Sequence, residues 1–132
     1  MKKSTRIRKA IVTGGAKGFG YGISQSLVKA GYRVWITGRD TTALNRAARK
    51  LGVTAVTADV TSPADWDRVF AAVDAAPGRL EVLVNNAGAG IHIAPAAKQK
   101  DHEIDQVIAV NLNGAIYGCR RAAPRIAKAG GG

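Results

Sequence analysis

Apolar positions along this chain follow two rhythms that alternate. Short continuous runs rich in β-branched residues are each followed by stretches whose apolar residues recur every three or four positions. Lys9–Thr13 is the first run, and an uninterrupted apolar core suits a strand covered on both faces. Gly14–Gly20 is a glycine loop. Gly20–Ala30 then carries Ile23, Leu27, Val28 and Ala30 near helical spacing, with Gly31 as its stop. Arg33–Gly38 predicts a second strand. Asp40 or Thr41 can cap a second helix that runs to Leu51 and ends at Gly52. Val53–Ala58 predicts a third strand.

Ser62 can cap a third helix with Pro63 at its first position, where a missing N–H costs nothing. Its apolar face is Trp66, Val69, Phe70 and Val73, and Pro77 and Gly78 break it. Leu80–Val84 predicts a fourth strand. A loop of roughly fifteen residues with Gly88, Gly90 and Pro95 follows. Asp101–Lys128 is expected to be mostly helical, striped by Ile104, Val107, Ile108, Leu112, Ala115 and Ile116, with bends at Gly114 or Pro124. Strand and helix alternate four times. Right-handed crossovers turn that order into a three-layer α/β fold, a doubly wound parallel sheet with helices on both faces.

Composition narrows the class. A chain of 132 residues with 46% hydrophobic and 22% charged positions suits one packed domain. No run approaches the ~20 apolar residues of a membrane helix, and the basic start lacks the apolar stretch of a secretory leader. No membrane association is expected, and a cytoplasmic location is. Cys119 is the lone cysteine, so no intrachain disulfide can form. It reads as a small buried residue. The net charge of +11 would suit a polyanion. However, the basic residues, from Lys2 and Lys3 to Lys128, are scattered, and no aromatic residues interleave with them as base stacking requires. No nucleic-acid partner is expected. His92 and His102 lack acidic or cysteine neighbours at ligand spacing, so both read as surface residues and no metal site is expected.

Chemistry concentrates in the first loop. Thr13-Gly14-Gly15-Ala16-Lys17-Gly18-Phe19-Gly20 lies directly between a strand and a helix. Glycines there let a diphosphate approach the backbone without meeting a Cβ, and free N–H groups at the helix start favour its charge. At the end of the second strand stand Arg39 and Asp40. Arg39, with Lys17 in the loop, suits the 2′-phosphate of NADP(H), whereas Asp40 would suit the ribose hydroxyls of NAD.

These residues and three further motifs resemble the short-chain dehydrogenase/reductase family. The resemblance runs from about residue 7 to residue 130 and covers the N-terminal portion of such a protein. Residues 13–20 are similar to the family's T-G-x-x-x-G-x-G. Asp59-Val60 looks like its adenine-contacting pair, Asn85-Asn86-Ala87-Gly88 like its N-N-A-G signature, and Asn111 falls on its catalytic Asn. The resemblance implies a Rossmann-like sheet truncated after four strands in the order 3-2-1-4, with residues 1–132 a single, incomplete NAD(P)-binding domain. It implies cofactor contacts from Gly14, Lys17, Gly18, Phe19, Gly20, Arg39, Asp59, Val60, Asn86, Ala87 and Gly88. It also implies hydride transfer between NADP(H), or NAD, and an alcohol or carbonyl substrate. Full-length members are homo-oligomers that bury the last helix's apolar stripe. Local readings stay open beside these: Asp59 can cap the turn at Thr61, and Asn111 can be an ordinary mid-helix residue.

The family's general acid is a Tyr with a Lys one turn on, assisted by a Ser. Here Tyr21 is followed four residues later by Gln25, Tyr32 by Ile36 and Tyr117 by Arg121, so no Y-x-x-x-K pair is present. The 132 residues alone are therefore expected to be inactive.

Overall fold

A computed structural model of the chain describes residues 6–90 and 93–132. His92, Lys2 and Lys3 lie outside the described residues. The elements are β1 (Arg8–Thr13), α1 (Gly18–Lys29), β2 (Tyr32–Gly38), α2 (Thr41–Leu51), β3 (Thr54–Thr57), α3 (Pro63–Ala75), β4 (Arg79–Val84), α4 (Asp101–Ile108) and α5 (Gly114–Lys128). A single 3₁₀ turn, Ala96–Lys98, interrupts the loop after β4. The strands form one parallel sheet, as the alternation predicts, in the order β3-β2-β1-β4 that the resemblance implies.

Side-chain alternation splits the interior in two. Ala10 and Val12 of β1 point toward α1 and α2, where they meet Val34, Ile36, Leu44 and Ala47. Ile11 points the other way, onto Trp35, Trp66, Phe70 and Val73 beneath α3 and α5. Lys9 interrupts this apolar strand at only 4% exposure. Its Nζ donates to Val73 O at 2.8 Å and Ala76 O at 2.9 Å, so a buried cation ties off the carbonyls that end α3. Burial holds its pKa below the ordinary lysine value, against the opposing pull of Asp74.

The expected caps form. Ser62 Oγ accepts from Asp65 N at 3.2 Å, and Asp40 Oδ1 accepts from Ala43 N at 3.0 Å. Gly52 ends α2 at φ +69°, a left-handed turn that favours glycine.

The final helical stretch meets one of its two expected bends. The break falls directly before Gly114, and none occurs at Pro124. A π-helical turn, Ala109–Asn113, separates α4 from α5, and Pro124 sits inside α5. Gly114 is also needed for closeness, because a Cβ there would press into Val60. Cys119 is exposed rather than buried. Asn85, just past the end of β4, donates from Nδ2 to the Cys119 Sγ at 3.4 Å. Ile104, Ile108, Leu112 and Ile116 form the predicted stripe, yet they remain between 42% and 51% exposed. Among the described residues, none covers them.

Ion pairs fasten α3 to α5. Arg121 Nε donates to Asp67 Oδ1 at 2.7 Å, and Arg125 Nη2 to Asp74 Oδ2 at 2.8 Å. Arg125 also lies 4.6 Å from the centre of the Phe70 ring. These hydrogen bonds hold the Asp67 and Asp74 carboxyls below the ordinary carboxylate pKa. A lowered folded pKa gives stability that is complete above the unfolded value and disappears as pH falls through the folded one. Thermal melts from about pH 6 to about pH 2 should therefore show the melting temperature falling in acid, with a shallower fall for Asp74→Asn. Parallel curves for the two proteins would contradict a role for this pair.

Candidate functional site

The carboxyl ends of the four strands open into a cleft of about 510 Å³. Of the residues expected to contact a cofactor, Gly14, Lys17, Phe19, Arg39, Asp59, Val60, Asn86, Ala87 and Gly88 line it. The fold adds Ala16, Thr37, Gly38, Asp40, Ala43, Ala58 and Val110. Most of these are small apolar residues whose types carry no site signal. Gly18, Gly20 and Asn111, also predicted, do not line the cleft; they support its walls.

The glycine turn explains itself residue by residue. Gly14 and Gly18 stand at φ +63° and +57°. A side chain would be strained at either, and at Gly18 nothing lies within 4 Å of a Cβ position, so open space remains beside the backbone. Gly20 is required for packing, since a Cβ would run into the Gly14 carbonyl and the Asn86 amide. Gly15, not predicted, is similarly pressed against Ile36. Its signal was present as the second of two adjacent glycines, but only the neighbouring strand reveals the need.

Helix α1 starts bare. Lys17 occupies the cap position with extended backbone and no capping hydrogen bond, and no acidic residue lies in the first turn. The amino end of α1 thus offers unpaired N–H groups and the positive end of its dipole beside the cleft.

Thr13 and Asn86 knot β1 to β4 beneath this turn. The Thr13 hydroxyl donates to Val84 O at 3.3 Å and accepts from Asn86 N at 3.0 Å and Ala87 N at 2.9 Å. Asn86 Nδ2 donates back to Thr13 O at 3.1 Å and Gly14 O at 3.2 Å. One side chain from each strand therefore satisfies the other's backbone.

Asp59 fills its local role. Its Oδ1 accepts from Thr61 N at 2.9 Å and Thr61 Oγ1 at 2.8 Å, while its own N–H donates to Asp65 Oδ2 at 2.8 Å. The turn-capping reading is thus realised, with Asp59 at the cleft wall. Asn111 lies in the π-helical turn and grips the loop after β4. Its Oδ1 accepts from Ala89 N at 2.8 Å and its Nδ2 donates to Ala89 O at 2.9 Å.

Charge at the cleft is asymmetric. The Asp40 carboxylate is engaged in capping α2. Arg39 and Lys17 are exposed, and their side chains make no ion pair or hydrogen bond with any described residue. His102 is exposed, and among the described residues no group of three or more His, Cys, Asp and Glu side chains comes together. Among those residues, no helix is long and apolar enough to cross a membrane.

A bare helix start behind a glycine turn, at the carboxyl rim of a doubly wound sheet, defines the Rossmann-like class of nucleotide-binding folds. The model of the short chain dehydrogenase family matches residues 8–132, and the chain belongs to that family. It is 39% identical over 127 residues to Oxidoreductase asL5 of Sarocladium schorii, covering 95% of this chain and 51% of that protein. It is 35% identical to the NADP-dependent (R)-specific alcohol dehydrogenase of Lentilactobacillus kefiri, over 92% of this chain and 49% of that protein. Among solved structures, a 3-ketoacyl-(acyl-carrier-protein) reductase from Brucella melitensis, complexed with NADH, superposes with a TM-score of 0.89 at 32% identity. That match covers 96% of this chain and 53% of the other. A metagenomic short-chain oxidoreductase in complex with NADP gives 0.85 at 35% identity, covering 95% of this chain and 59% of the other. The chain spans about half the length of the curated relatives it matches.

Replacing Thr13 by Val should leave the Ala87 N–H without its acceptor and the Asn86 N–H with the Val84 carbonyl alone. The expected loss is about 2 kcal/mol in urea unfolding, largely restored by Thr13→Ser. A Val variant as stable as the parent would show that the knot is not needed.

Proposed function

We propose that this chain is the nucleotide-binding part of an NADP(H)-dependent oxidoreductase that moves hydride between the cofactor and an alcohol or carbonyl substrate. The observation that carries the cofactor preference is the charge at the end of β2: one oxygen of Asp40 is taken by its cap, while the Arg39 and Lys17 side chains stand unpaired at the cleft. A free guanidinium fork suits a 2′-phosphate, whereas NAD recognition asks for a free carboxylate. The NADP dependence of the Lentilactobacillus kefiri relative favours the same choice.

In this reading residues 1–132 are a single NAD(P)-binding domain in the cytoplasm, the compartment to which a lone thiol is suited. Gly14, Lys17, Gly18, Phe19 and Gly20 hold the diphosphate through backbone N–H groups and the Lys17 charge. Arg39 takes the 2′-phosphate. Asp59 and Val60 meet the adenine, with the Asp59 Oδ1 shared with Thr61. Asn86, Ala87 and Gly88 form the ribose side of the cleft. The bound nicotinamide would supply or accept the hydride. Asn111 is the catalytic-site member and steadies the loop at Ala89. The exposed stripe from Ile104 to Ile116 is read as the surface that a second copy covers in a homo-oligomer.

Two expectations test this reading. NADP⁺ should raise the melting temperature of the chain more than NAD⁺ does, and Arg39→Asp should weaken NADP⁺ binding by about tenfold or more. Equal protection by both nucleotides, unchanged in the variant, would reject the 2′-phosphate role. Separately, the absence of Y-x-x-x-K favours a second outcome for these residues alone: nucleotide binding without turnover. An NADPH-coupled carbonyl-reduction assay should then show no enzyme-like rate, and a rate typical of the class would place the acid elsewhere.

A further inference from the structure

A second groove lies at the sheet's outer edge, away from the cleft. Among the described residues β3 pairs with β2 alone, and none of them pairs with its other side. Ala58 N–H donates to Gly38 O, toward β2. Successive residues of a strand present their backbone groups to opposite sides, so Ala55 and Thr57 turn theirs outward. Arg68 agrees with this alternation, donating from Nη2 to Thr57 O at 2.8 Å. The Ala55 N–H and C=O and the Thr57 N–H are left facing solvent along the edge.

Beside them runs a groove of about 380 Å³, lined by Asn45, Ala48, Arg49, Val53 and Ala55. Its apolar part comes from Ala48, Val53 and Ala55. Neither Asn45 nor Arg49 makes a side-chain hydrogen bond or ion pair with any described residue. Arg46, Arg49 and Lys50 share the exposed side of α2 at helical spacing, and α2 contains no Asp or Glu. The helix dipole accounts for cations in the last turn. It does not account for Arg46, whose like-charged neighbours one turn on are unfavourable and unrelieved.

We propose that the free edge of β3, together with this groove, receives an extended acidic segment of a partner protein, which adds to the sheet as a further strand. Main-chain hydrogen bonds to Ala55 and Thr57 hold the segment in line. An apolar side chain settles against Val53 and Ala55, and a carboxylate from the same segment meets Arg49. Arg68 closes the edge at Thr57 and so bounds the site at one end. The amino end of α2 lines the nucleotide cleft and its carboxyl half lines the groove, so the two sites sit on separate stretches of one helix.

The probe is a fluorescein-labelled peptide of about eight alternating Val and Glu residues, with a Val–Gln peptide as the neutral control. Fluorescence anisotropy with the full chain should show the Val–Glu peptide binding about tenfold more tightly or better. Amide hydrogen exchange at Ala55 and Thr57 should slow in its presence. Arg49→Glu should remove most of the affinity. Ala55→Pro deletes an outward N–H without touching the ladder to β2, and should abolish binding while preserving the melting temperature. If that variant melts early, exchange at Ala55 in the unaltered chain decides. The proposal fails if both peptides bind alike, if exchange at Ala55 and Thr57 is unchanged, or if binding survives Ala55→Pro in a folded chain. It fails equally if a single-stranded oligonucleotide, and not the peptide, binds through Arg49.

Discussion

The exchange of hydrogen bonds between Thr13 and Asn86 is the constraint around which the cleft is built. A glycine turn leaving β1 has no side chains to hold its shape, and its carbonyls at Thr13 and Gly14 need donors. Asn86 supplies both from the end of β4. In return, the Thr13 hydroxyl fastens the first backbone groups beyond β4. The turn and the opposite wall therefore share one set of bonds, and α1 begins at a fixed height above the sheet. Gly20 completes the arrangement by letting α1 settle against the Gly14 carbonyl.

Electrostatics follow from that frame. Four arginines are matched with Asp65, Asp67, Asp74 and Glu81, so those acids are engaged on or near α3 and β4. Asp40 is engaged in its cap and Asp59 in its turn. What remains at the cleft and on α2 is cationic: Lys17, Arg39, Arg46, Arg49 and Lys50. The net charge of +11 is thus neither evenly spread nor gathered on an aromatic platform. Part of it lies where the first helix already directs positive potential, and part lies on the outer side of α2.

Much of the frame was legible in the sequence because its causes are local. The continuous run at Lys9–Thr13, the glycines at 14, 18 and 20, and the caps at Asp40, Ser62 and Gly52 each depend on neighbours within a turn or two. Other features escaped because their causes are distant in sequence. Gly15 and Gly114 are needed for Ile36 and Val60, residues that no local pattern links to them. Lys9 opens the first strand, and that it is buried follows only from the end of α3, whose carbonyls accept from its ammonium. Cys119 carried the composition of a buried residue and turned out exposed, with the distant Asn85 donating to its Sγ.

By itself, the sequence determined the order of strands and helices, the parallel doubly wound sheet and the position of the glycine turn. Hydrophobic period, backbone freedom and capping are properties of short segments, and they survive without a partner. Only the tertiary structure decided which carboxylates remain free, where the last helix breaks, and which apolar stripe stays exposed. Those outcomes depend on what a residue meets across the sheet. Lys9 and Ala10 are adjacent in sequence, yet only the end of α3, packed across the sheet, supplies the carbonyls that let the lysine be buried.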